Sequence, residues 1–238
     1  ELIQNCNNGF EKLKRTRIVP SIIPGGYSQP MLRDFILEKE EKSGNCLVIL
    51  NTKSDAAKTF TTLKEYIHEN SLSAKLVHLS TRMCPAHRLD VINNMKKELG
   101  NKRIICVSTQ LIEAGVDISF GCVIRALAGL DSIAQAAGRC NRNGENPDGS
   151  DVYIVNLAEE NLTKLPDIKQ GSEVTRNIIY ESFENLLSSN VMERYYEEYF
   201  YRRKAEMDYC LNGDASLYDL LAFNKKGLST YVNSGGKT

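Results

Sequence analysis

Short apolar runs alternate with helix-spaced hydrophobic residues along the middle of the chain. The run at 46–50 is continuous, as expected for a strand covered on both faces, and strands are predicted at 46–50, 75–79, 103–107, 122–127 and 152–157. Between the runs, apolar side chains recur every three or four residues, which predicts helices. This alternation predicts an α/β fold in which helices cover both faces of a parallel sheet.

Residues that favour helix ends stand at the borders of these helices. Ser54 or Asp55 can cap the helix after the first strand, and Asp131 can cap the helix after the fourth. Pro85 stands in the first turn of another helix, and Gly100 stands just past its end. These signals predict that each helix begins soon after a strand.

The pattern differs at both ends of the chain. Residues 1–30 are interrupted by Pro and Gly, which predicts a loop, and a short helix is predicted at 31–42. One or two helices are predicted at 172–208, and another at 214–223. We therefore expect a linker and short helix, the sheet domain, and a helical extension toward a C-terminal domain, with bounds 1–43, 44–160 and 161–238.

Composition limits the classes of function. The chain has 238 residues, 42% hydrophobic and 25% charged, which is ordinary for a globular protein. It contains no apolar run long enough to span a membrane, and its formal net charge of zero argues against a broad basic surface that wraps nucleic acid. A local phosphate-binding track is still possible. Because the chain opens on Glu1 without a leader sequence, we expect a part cut from a longer protein.

The seven cysteines form no CxxC pair, so neither a zinc site nor a disulfide framework is indicated. Cys46, Cys106 and Cys122 lie in apolar runs and are predicted to be buried. The compartment that this usage favours is the reducing cytoplasm.

Candidate chemistry follows the third predicted strand. Ligands of open parallel sheets bind at the carboxyl ends of the strands. Ser108 and Thr109, followed by Gln110, can present hydroxyl and N–H groups to a phosphate. Gly115 permits a close backbone approach, and Asp117 can accept from a ribose hydroxyl or steer an arginine.

The sequence after the fourth strand, QAAGRCNR, carries two arginines. Arg139 and Arg142 are three positions apart, so we expect them to share one face at the carboxyl end of a strand. Planar, always charged and bidentate, such a pair suits a triphosphate, and an arginine donated across a cleft can act as an arginine finger. The alternative for an isolated arginine pair is a solvated surface or a salt bridge.

These segments resemble helicase motifs. STQLIEAGVDI (108–118) resembles motif V of superfamily 2 helicases, QAAGRCNR (135–142) resembles motif VI, and the residues from Asn51 to Ser54 resemble motif IV. Together with HLSTRMCPAHR (78–88), this wording is similar to the CRISPR-associated helicase-nuclease of type I systems. The resemblance spans roughly residues 44–224, and it implies a second RecA-like domain followed by a helical extension.

The resemblance also implies roles for individual residues. Arg139 and Arg142 would contact the phosphates of ATP, with Gln135 and Gly138 beside them, while Gly115 and Asp117 would border the nucleotide. Contacts with the backbone of single-stranded DNA are implied for Asn51, Thr52, His78, Arg88, Ser108, Thr109 and Gln110. Local packing is about equally plausible for His78, and Arg88 stands where a helix end can contact phosphate.

Other parts of such an enzyme have no counterpart in this sequence. It contains no phosphate loop, no acidic motif for Mg²⁺ and no His-Asp nuclease dyad. The resemblance therefore implies that the first RecA-like lobe, which would mainly hold Mg²⁺, and the nuclease domain lie in sequence outside this chain. It also implies recruitment by an RNA-guided surveillance complex. We expect the isolated chain to have negligible ATPase activity.

Two alternatives remain at this point. One is the second lobe of an RNA helicase, since motifs V and VI are shared across the superfamily. Contacts with a nucleic-acid backbone discriminate poorly between DNA and RNA sugars. A non-enzymatic docking module would not need Arg139 and Arg142.

Overall fold

A computed structural model of the chain describes residues 15–112, 117–181 and 185–207. The strands in this part of the chain are β1 (Thr16–Pro20), β2 (Asn45–Ile49), β3 (Lys75–Leu79), β4 (Ile104–Ser108), β5 (Cys122–Ala126) and β6 (Ser150–Val155). The helices are α1 (Gln29–Ser43), α2 (Lys53–Glu69), α3 (Pro85–Glu98), α4 (Leu130–Ala137), α5 (Pro166–Tyr180), α6 (Ser189–Arg202) and α7 (Lys204–Met207). A short 3-10 helix, Gln110–Ile112, follows β4.

The six strands form one parallel sheet in the order β1-β6-β5-β2-β4-β3. The central strands β4 and β5 are buried along their whole length, because helices cover both faces. The predicted α/β class is confirmed, and the architecture is RecA-like.

Alternate residues of each strand contribute to two separate cores. In β2, Leu47 and Ile49 face the core that α3 and α4 cover, while Cys46 and Val48 face the core under α1 and α2. The predicted burial of the three cysteines at 46, 106 and 122 is confirmed, since each is at most 3% exposed. Both faces of the sheet are therefore used for packing, and the ends of the strands are left for other roles.

The prediction of a loop over residues 1–30 is wrong in part. Thr16–Pro20 forms β1, which pairs in parallel with β6 at the edge of the sheet. An edge strand has one neighbour, and only Thr16, Ile18 and Val19 are half-buried here, so no continuous apolar run marks the strand. The prolines and glycines that border the strand also favoured the prediction of a loop.

Two predicted caps are also wrong. The N-cap of α2 is Thr52, whose Oγ1 accepts from the backbone N–H of Asp55 at 3.0 Å. The N-cap of α4 is Gly129, and Asp131 lies in the first turn of that helix. Both helices begin earlier than predicted, because the chain turns into them directly after the strand. Pro85 and Gly100 occupy the predicted helix ends, with Gly100 at a φ of 88°.

Helices follow the sheet, as predicted for the extension. Residue contacts divide the chain into two compact units, Glu1–Met192 and Glu193–Thr238. The domain limits proposed from sequence stay predictions, and the predicted helix at 214–223 lies outside the described residues. Within the described ranges, no helix is both long and apolar enough to cross a bilayer.

Candidate functional site

The carboxyl ends of β2 and β4 border a cavity of about 860 Å³. Four residues predicted to contact nucleic acid line it: Asn51, Thr52, Thr109 and Gln110. They converge because β2 and β4 are parallel neighbours that end at the same edge of the sheet. The cavity is also lined by three lysines, Lys53, Lys58 and Lys164. This edge therefore offers hydroxyl, amide and ammonium groups in one place.

Thr52 is committed to the start of α2. Its Oγ1 accepts from the Asp55 N–H and donates to Asp55 Oδ2 at 2.5 Å. This capping directs the first turn of α2, with the exposed residues Lys53 and Ser54, toward the cavity. The end of a helix with free N–H groups next to lysines is a suitable environment for a phosphate.

Asn51 and Ser108 do not present their side chains to a ligand, in contrast to the prediction from sequence. Asn51 is 5% exposed, and its amide donates to the Leu127 carbonyl and to Glu160 Oε1, both at 2.9 Å. The Ser108 hydroxyl is fully buried and donates to the Leu79 carbonyl at 3.3 Å. Both residues stand where a strand ends, but their side chains make hydrogen bonds inside the carboxyl edge of the sheet.

His78 and Arg88 lie outside the residues that line this cavity. The imidazole of His78 stacks on Phe60, with ring centroids 5.0 Å apart, and burial lowers its pKa. His78 is therefore a packed side chain, which was the alternative to a contact with nucleic acid. Arg88 lies half-buried in the first turns of α3. The structure thus does not bring either residue to the other four.

Arg139 and Arg142 lie away from the carboxyl edge, so the predicted location of this pair is wrong. The Phe120 N–H donates to the Arg139 carbonyl, and the Asn141 N–H donates to the Phe120 carbonyl, both at 2.9 Å. Phe120 precedes β5, so this bridge lies at the amino edge of the sheet. The reason is the length of α4: its eight residues rise about 12 Å, which returns the chain along most of β5.

The two arginines nevertheless converge. Nη1 of Arg139 and Nη1 of Arg142 donate to the same carbonyl oxygen, that of Gly138, at 3.4 and 3.2 Å. Gly138 is the C-cap of α4, where the helix carbonyls carry partial negative charge. The two arginines are therefore close in space as well as in sequence, although they lie in a turn after the helix and not on the helix.

The segment between β4 and β5 holds both guanidinium groups from the other side. Arg139 Nε donates to the Ile112 carbonyl at 3.2 Å, and Arg142 Nε lies 2.5 Å from Asp117 Oδ1. The side chains of Arg142 and Asp117 are 41% and 73% exposed, so both can be reached from solvent. The segments that resemble motifs V and VI thus meet at this point.

A buried asparagine shapes the turn that carries Arg142. Asn141 has a φ of 47°, a left-handed conformation that asparagine adopts more readily than most residues. Its amide donates to the carbonyls of Arg15 and Asn146, at 3.1 and 2.7 Å, and its Oδ1 accepts from the Asn146 N–H at 3.0 Å. Sequence reasoning missed this residue, and the available signal was an asparagine between the two arginines of the predicted site.

The other residues predicted for the nucleotide are placed unequally. Gln135 is exposed on α4, one turn before the C-cap at Gly138. Gly115 lies outside the described residues. The group that the structure brings together therefore consists of Asp117, Gly138, Arg139 and Arg142, with Gln135 on the adjoining turn.

A charged cluster inside the carboxyl edge was also missed. Arg125 in β5 is fully buried, and its Nη1 donates to Asn51 Oδ1 at 2.6 Å. Asn51 in turn donates to Glu160, which connects the buried cation to a carboxylate. Burial raises the pKa of Glu160 to about 6, an effect that the hydrogen bond from Asn51 opposes. No motif marks this cluster, since its members are far apart in sequence.

Comparison with known proteins agrees with the fold and the motifs. Residues 42–145 match the family model described as CRISPR-associated nuclease/helicase Cas3, C-terminal. A CRISPR-associated nuclease/helicase Cas3 from Haloferax volcanii is 54% identical over 74 residues, which cover 31% of this chain and 7% of that protein. One from Methanothermobacter thermautotrophicus is 28% identical over 203 residues, which cover 80% of this chain and 23% of that protein.

Solved structures share the fold. The crystal structure of T. fusca Cas3-AMPPNP aligns with a TM-score of 0.66 at 17% identity, over 81% of this chain and 26% of that one. A chain of a CRISPR RNA-guided surveillance complex, pre-nicking, aligns with a TM-score of 0.57 at 16% identity, over 81% of this chain and 27% of that one. The chain thus spans about a quarter or less of the proteins it resembles.

The six-stranded parallel sheet with helices on both faces is a RecA-like domain, the fold of the Cas3 structures that it matches. Within it, residues 42–145 match the C-terminal family model of the CRISPR-associated nuclease/helicase Cas3, and 80% of the chain is similar to one such protein.

Proposed function

We propose that this chain is the second lobe of an ATP-dependent DNA helicase or translocase that acts in CRISPR interference. The observation that carries the proposal is the convergence of the Arg139 and Arg142 guanidinium groups on the Gly138 carbonyl, at an exposed surface. The Gly138 carbonyl orients both guanidinium groups, and the Asp117 carboxylate also holds that of Arg142. Two such groups, held in place before binding, provide the preorganised positive charge that a transferring phosphoryl group requires.

The residues present fit the phosphates of ATP. Arginine is planar and always charged, and its donors match phosphate oxygens in a bidentate arrangement. Arg139 and Arg142 would bind the phosphates, and Gln135 and Gly138 would border them. Asp117 lies next to Arg142, where the segment resembling motif V reaches the pair. When bound between two lobes, ATP supplies the free energy of phosphate transfer, and the arginines of this lobe stabilise the charge that develops.

Single-stranded DNA would follow the carboxyl edge. Thr109 and Gln110 line the cavity there, together with the N-terminal turn of α2 that Thr52 caps. Three lysines, at 53, 58 and 164, and two acids, Asp55 and Glu159, line the cavity, so a small excess of positive charge faces the phosphate backbone. Contacts of this type position a strand without reading its bases. Asn51 and Ser108 would support this track from behind it.

The rest of the machine would come from other sequence. The phosphate loop and the main ligands of Mg²⁺ would belong to the first RecA-like lobe, and the nuclease to a further domain of the same protein. An RNA-guided surveillance complex would recruit the whole enzyme, a proposal that the similarity to a chain in such a complex supports. The isolated chain would then have negligible ATPase activity.

The test uses the full-length protein with Arg139→Ala, Arg142→Ala and both together. Loss of an arginine finger lowers turnover by about 10³-fold or more in known systems, so we expect the kcat of DNA-stimulated ATP hydrolysis to fall steeply. Arg142→Lys is the matched control for charge: it keeps the cation but removes the planar fork, and it should restore only part of kcat. A double alanine variant with the kcat of the wild-type protein would refute the proposal.

A second comparison tests the choice of nucleic acid. Stimulation of the full-length ATPase by single-stranded DNA is expected to exceed stimulation by RNA of the same length. Equal or stronger stimulation by RNA would favour an RNA helicase instead.

A further inference from the structure

We propose that Cys46 and Cys122 form a redox-sensitive pair: hydrogen peroxide oxidises the Cys122 thiol, and Cys46 then closes a disulfide bond with it. This modification site uses none of the residues assigned to DNA or ATP, and it does not depend on the proposed function. It rests on the register of two neighbouring strands, on the contacts of the two sulfur atoms and on a cavity that reaches one of them.

The pairing of β2 with β5 brings the two cysteines together. Cys46 and Cys122 are direct partners in the register of these parallel strands, and both side chains belong to the core under α1 and α2. Neighbouring strands lie about 4.8 Å apart, which is within the range of about 4.4–6.8 Å that separates the Cα atoms of a disulfide. Cys106 in β4 faces the core on the other side of the sheet, so it cannot take the place of either residue.

The two sulfur atoms are joined by a hydrogen bond. The Cys46 thiol donates to Cys122 Sγ, and this bond is the main reason why the pKa of Cys122 lies below its ordinary value. Ser43 Oγ, at the end of α1, donates to the same sulfur at 3.2 Å and lowers that pKa further, whereas burial opposes both effects. Burial raises the pKa of Cys46, and the shared hydrogen bond adds to this effect. Cys122 is therefore the thiol that ionises first and reacts first.

A cavity of about 610 Å³ at the amino edge of the sheet reaches this thiol. Cys122 lines it, together with Ser43 and Asn45, and Cys46 lies behind it. Because Cys122 is 3% exposed, the oxidant has to be a small molecule such as hydrogen peroxide. Gly121 makes the close approach of α1 possible, since a Cβ atom at this position would lie 2.5 Å from the Ser43 carbonyl oxygen.

The reaction balances with one molecule of peroxide. The Cys122 thiolate attacks one peroxide oxygen, the O–O bond breaks, and the leaving hydroxide takes up the proton that the thiol released, which gives water and a sulfenic acid. Cys46 then attacks the Cys122 sulfur, the S–O bond breaks, and the Cys46 proton leaves with the hydroxyl group as a second water molecule. The two thiols lose two electrons in total, and the peroxide gains them. Because the sulfurs share one face of neighbouring strands, the second step is intramolecular, which favours it although the pKa of Cys46 is raised.

The experiment treats the full-length protein with hydrogen peroxide, blocks the remaining thiols with N-ethylmaleimide in urea, and digests the protein with trypsin and a protease that cuts before aspartate. Cys46, Cys106 and Cys122 then lie on separate peptides, 43–53, 104–116 and 117–125. We expect a linked pair of 43–53 with 117–125, lighter than the two free peptides by two hydrogen atoms and lost on treatment with dithiothreitol. The Cys122 thiol should disappear at least about tenfold faster than that of Cys106, whose pKa burial raises, because each pKa unit changes the thiolate fraction tenfold.

Two variants separate the steps of the reaction. With Cys46→Ser, we expect oxidation to stop at the sulfenic acid of Cys122, which dimedone traps on peptide 117–125. Cys106→Ser is the matched control, since it changes a buried cysteine on the other face of the sheet, and it should leave the linked pair unchanged. The exposed Cys84 shows that the oxidant has acted on the protein.

The digest of the wild-type protein decides the question by itself, even where a variant does not fold. Oxidation of Cys84 while peptides 43–53 and 117–125 stay unlinked would overturn the proposal, and so would a bond between Cys46 and Cys106. The same treatment in urea, which abolishes the register of β2 and β5, should distribute the bonds of Cys46 over both other peptides. An unchanged preference for Cys122 in urea would show that the fold does not direct the reaction.

Discussion

The buried carboxyl group of Glu160 permits a direct test of the contacts inside the carboxyl edge. Its Oε1 accepts from the Asn51 amide at 2.9 Å, and the buried cation of Arg125 lies on the other side of that amide. Burial is the largest influence on the Glu160 pKa, which rises from an ordinary value of 4.5 to about 6. The folded chain therefore binds this proton more tightly than the unfolded chain does.

The sign and size of the effect on stability follow from this difference. A change from 4.5 to about 6 is a factor of about 30 in proton affinity, or about 2 kcal/mol. The folded state takes up the proton between these two pH values, so stability falls as pH rises through this window. Above about pH 6 the ionised Glu160 lowers the free energy of unfolding by the full amount, and below about pH 4.5 it lowers it by nothing.

The substitution Glu160→Gln tests this reasoning, because glutamine is neutral and keeps an oxygen that can accept from Asn51. Urea unfolding of the 238-residue chain would be measured from pH 4.5 to pH 8. We expect the variant to be more stable than the wild-type chain by about 2 kcal/mol at pH 8, and equally stable near pH 4.5.

Glu159→Gln is the control, since it makes the same chemical change at an exposed neighbouring position. It should leave the pH dependence of stability unchanged. A difference between Glu160→Gln and wild type that is independent of pH, or that grows toward low pH, would show that burial does not govern this carboxyl group.

Two further predictions concern residues that hold the domain together. Arg103→Met removes both hydrogen bonds to the fully buried carboxylate of Glu40, at 2.9 and 2.6 Å. In urea titrations it should lower the free energy of unfolding by about 2–3 kcal/mol. The control Lys102→Met breaks an exposed ion pair and should change that free energy little. Asn141→Ala removes three hydrogen bonds and places alanine in a left-handed conformation. Thermal unfolding should therefore show a loss of stability about 1 kcal/mol larger than for Asn141→Gly. Equal losses of stability would mean that the backbone conformation contributes nothing.

The sequence predicted the central strands well because burial on both faces produces an uninterrupted apolar run. Cys46 to Ile49 and Cys122 to Ala126 are of this kind, apart from the buried Arg125. β1 lacked such a run, because an edge strand has one hydrogen-bonded neighbour and needs less apolar surface. The difference between these strands lies in their position in the sheet, which periodicity alone does not report.

The candidate site was predicted in its composition but not in its arrangement. The spacing of Arg139 and Arg142 is local, and the structure keeps them together around Gly138. Their location depends on the length of α4, which ends near the opposite edge from the one where β5 ends. Asn51 lies deeper than predicted: a polar residue after a strand can face a ligand or face inward, and hydrogen bonds with Arg125 and Glu160 hold its side chain inward.

DNA is proposed to bind at the carboxyl edge of the sheet and ATP at the amino edge, and the segment between β4 and β5 contributes residues to both. Thr109 and Gln110, directly after β4, line the cavity proposed for DNA, while Ile112 and Asp117 contact the two arginines proposed for ATP. Ile112 and Ile118 are both buried in the same core, which attaches the described parts of this segment to the sheet. For the proposed helicase lobe, substitutions that loosen the burial of Ile118 should therefore reduce the stimulation of ATP hydrolysis by DNA before they unfold the domain.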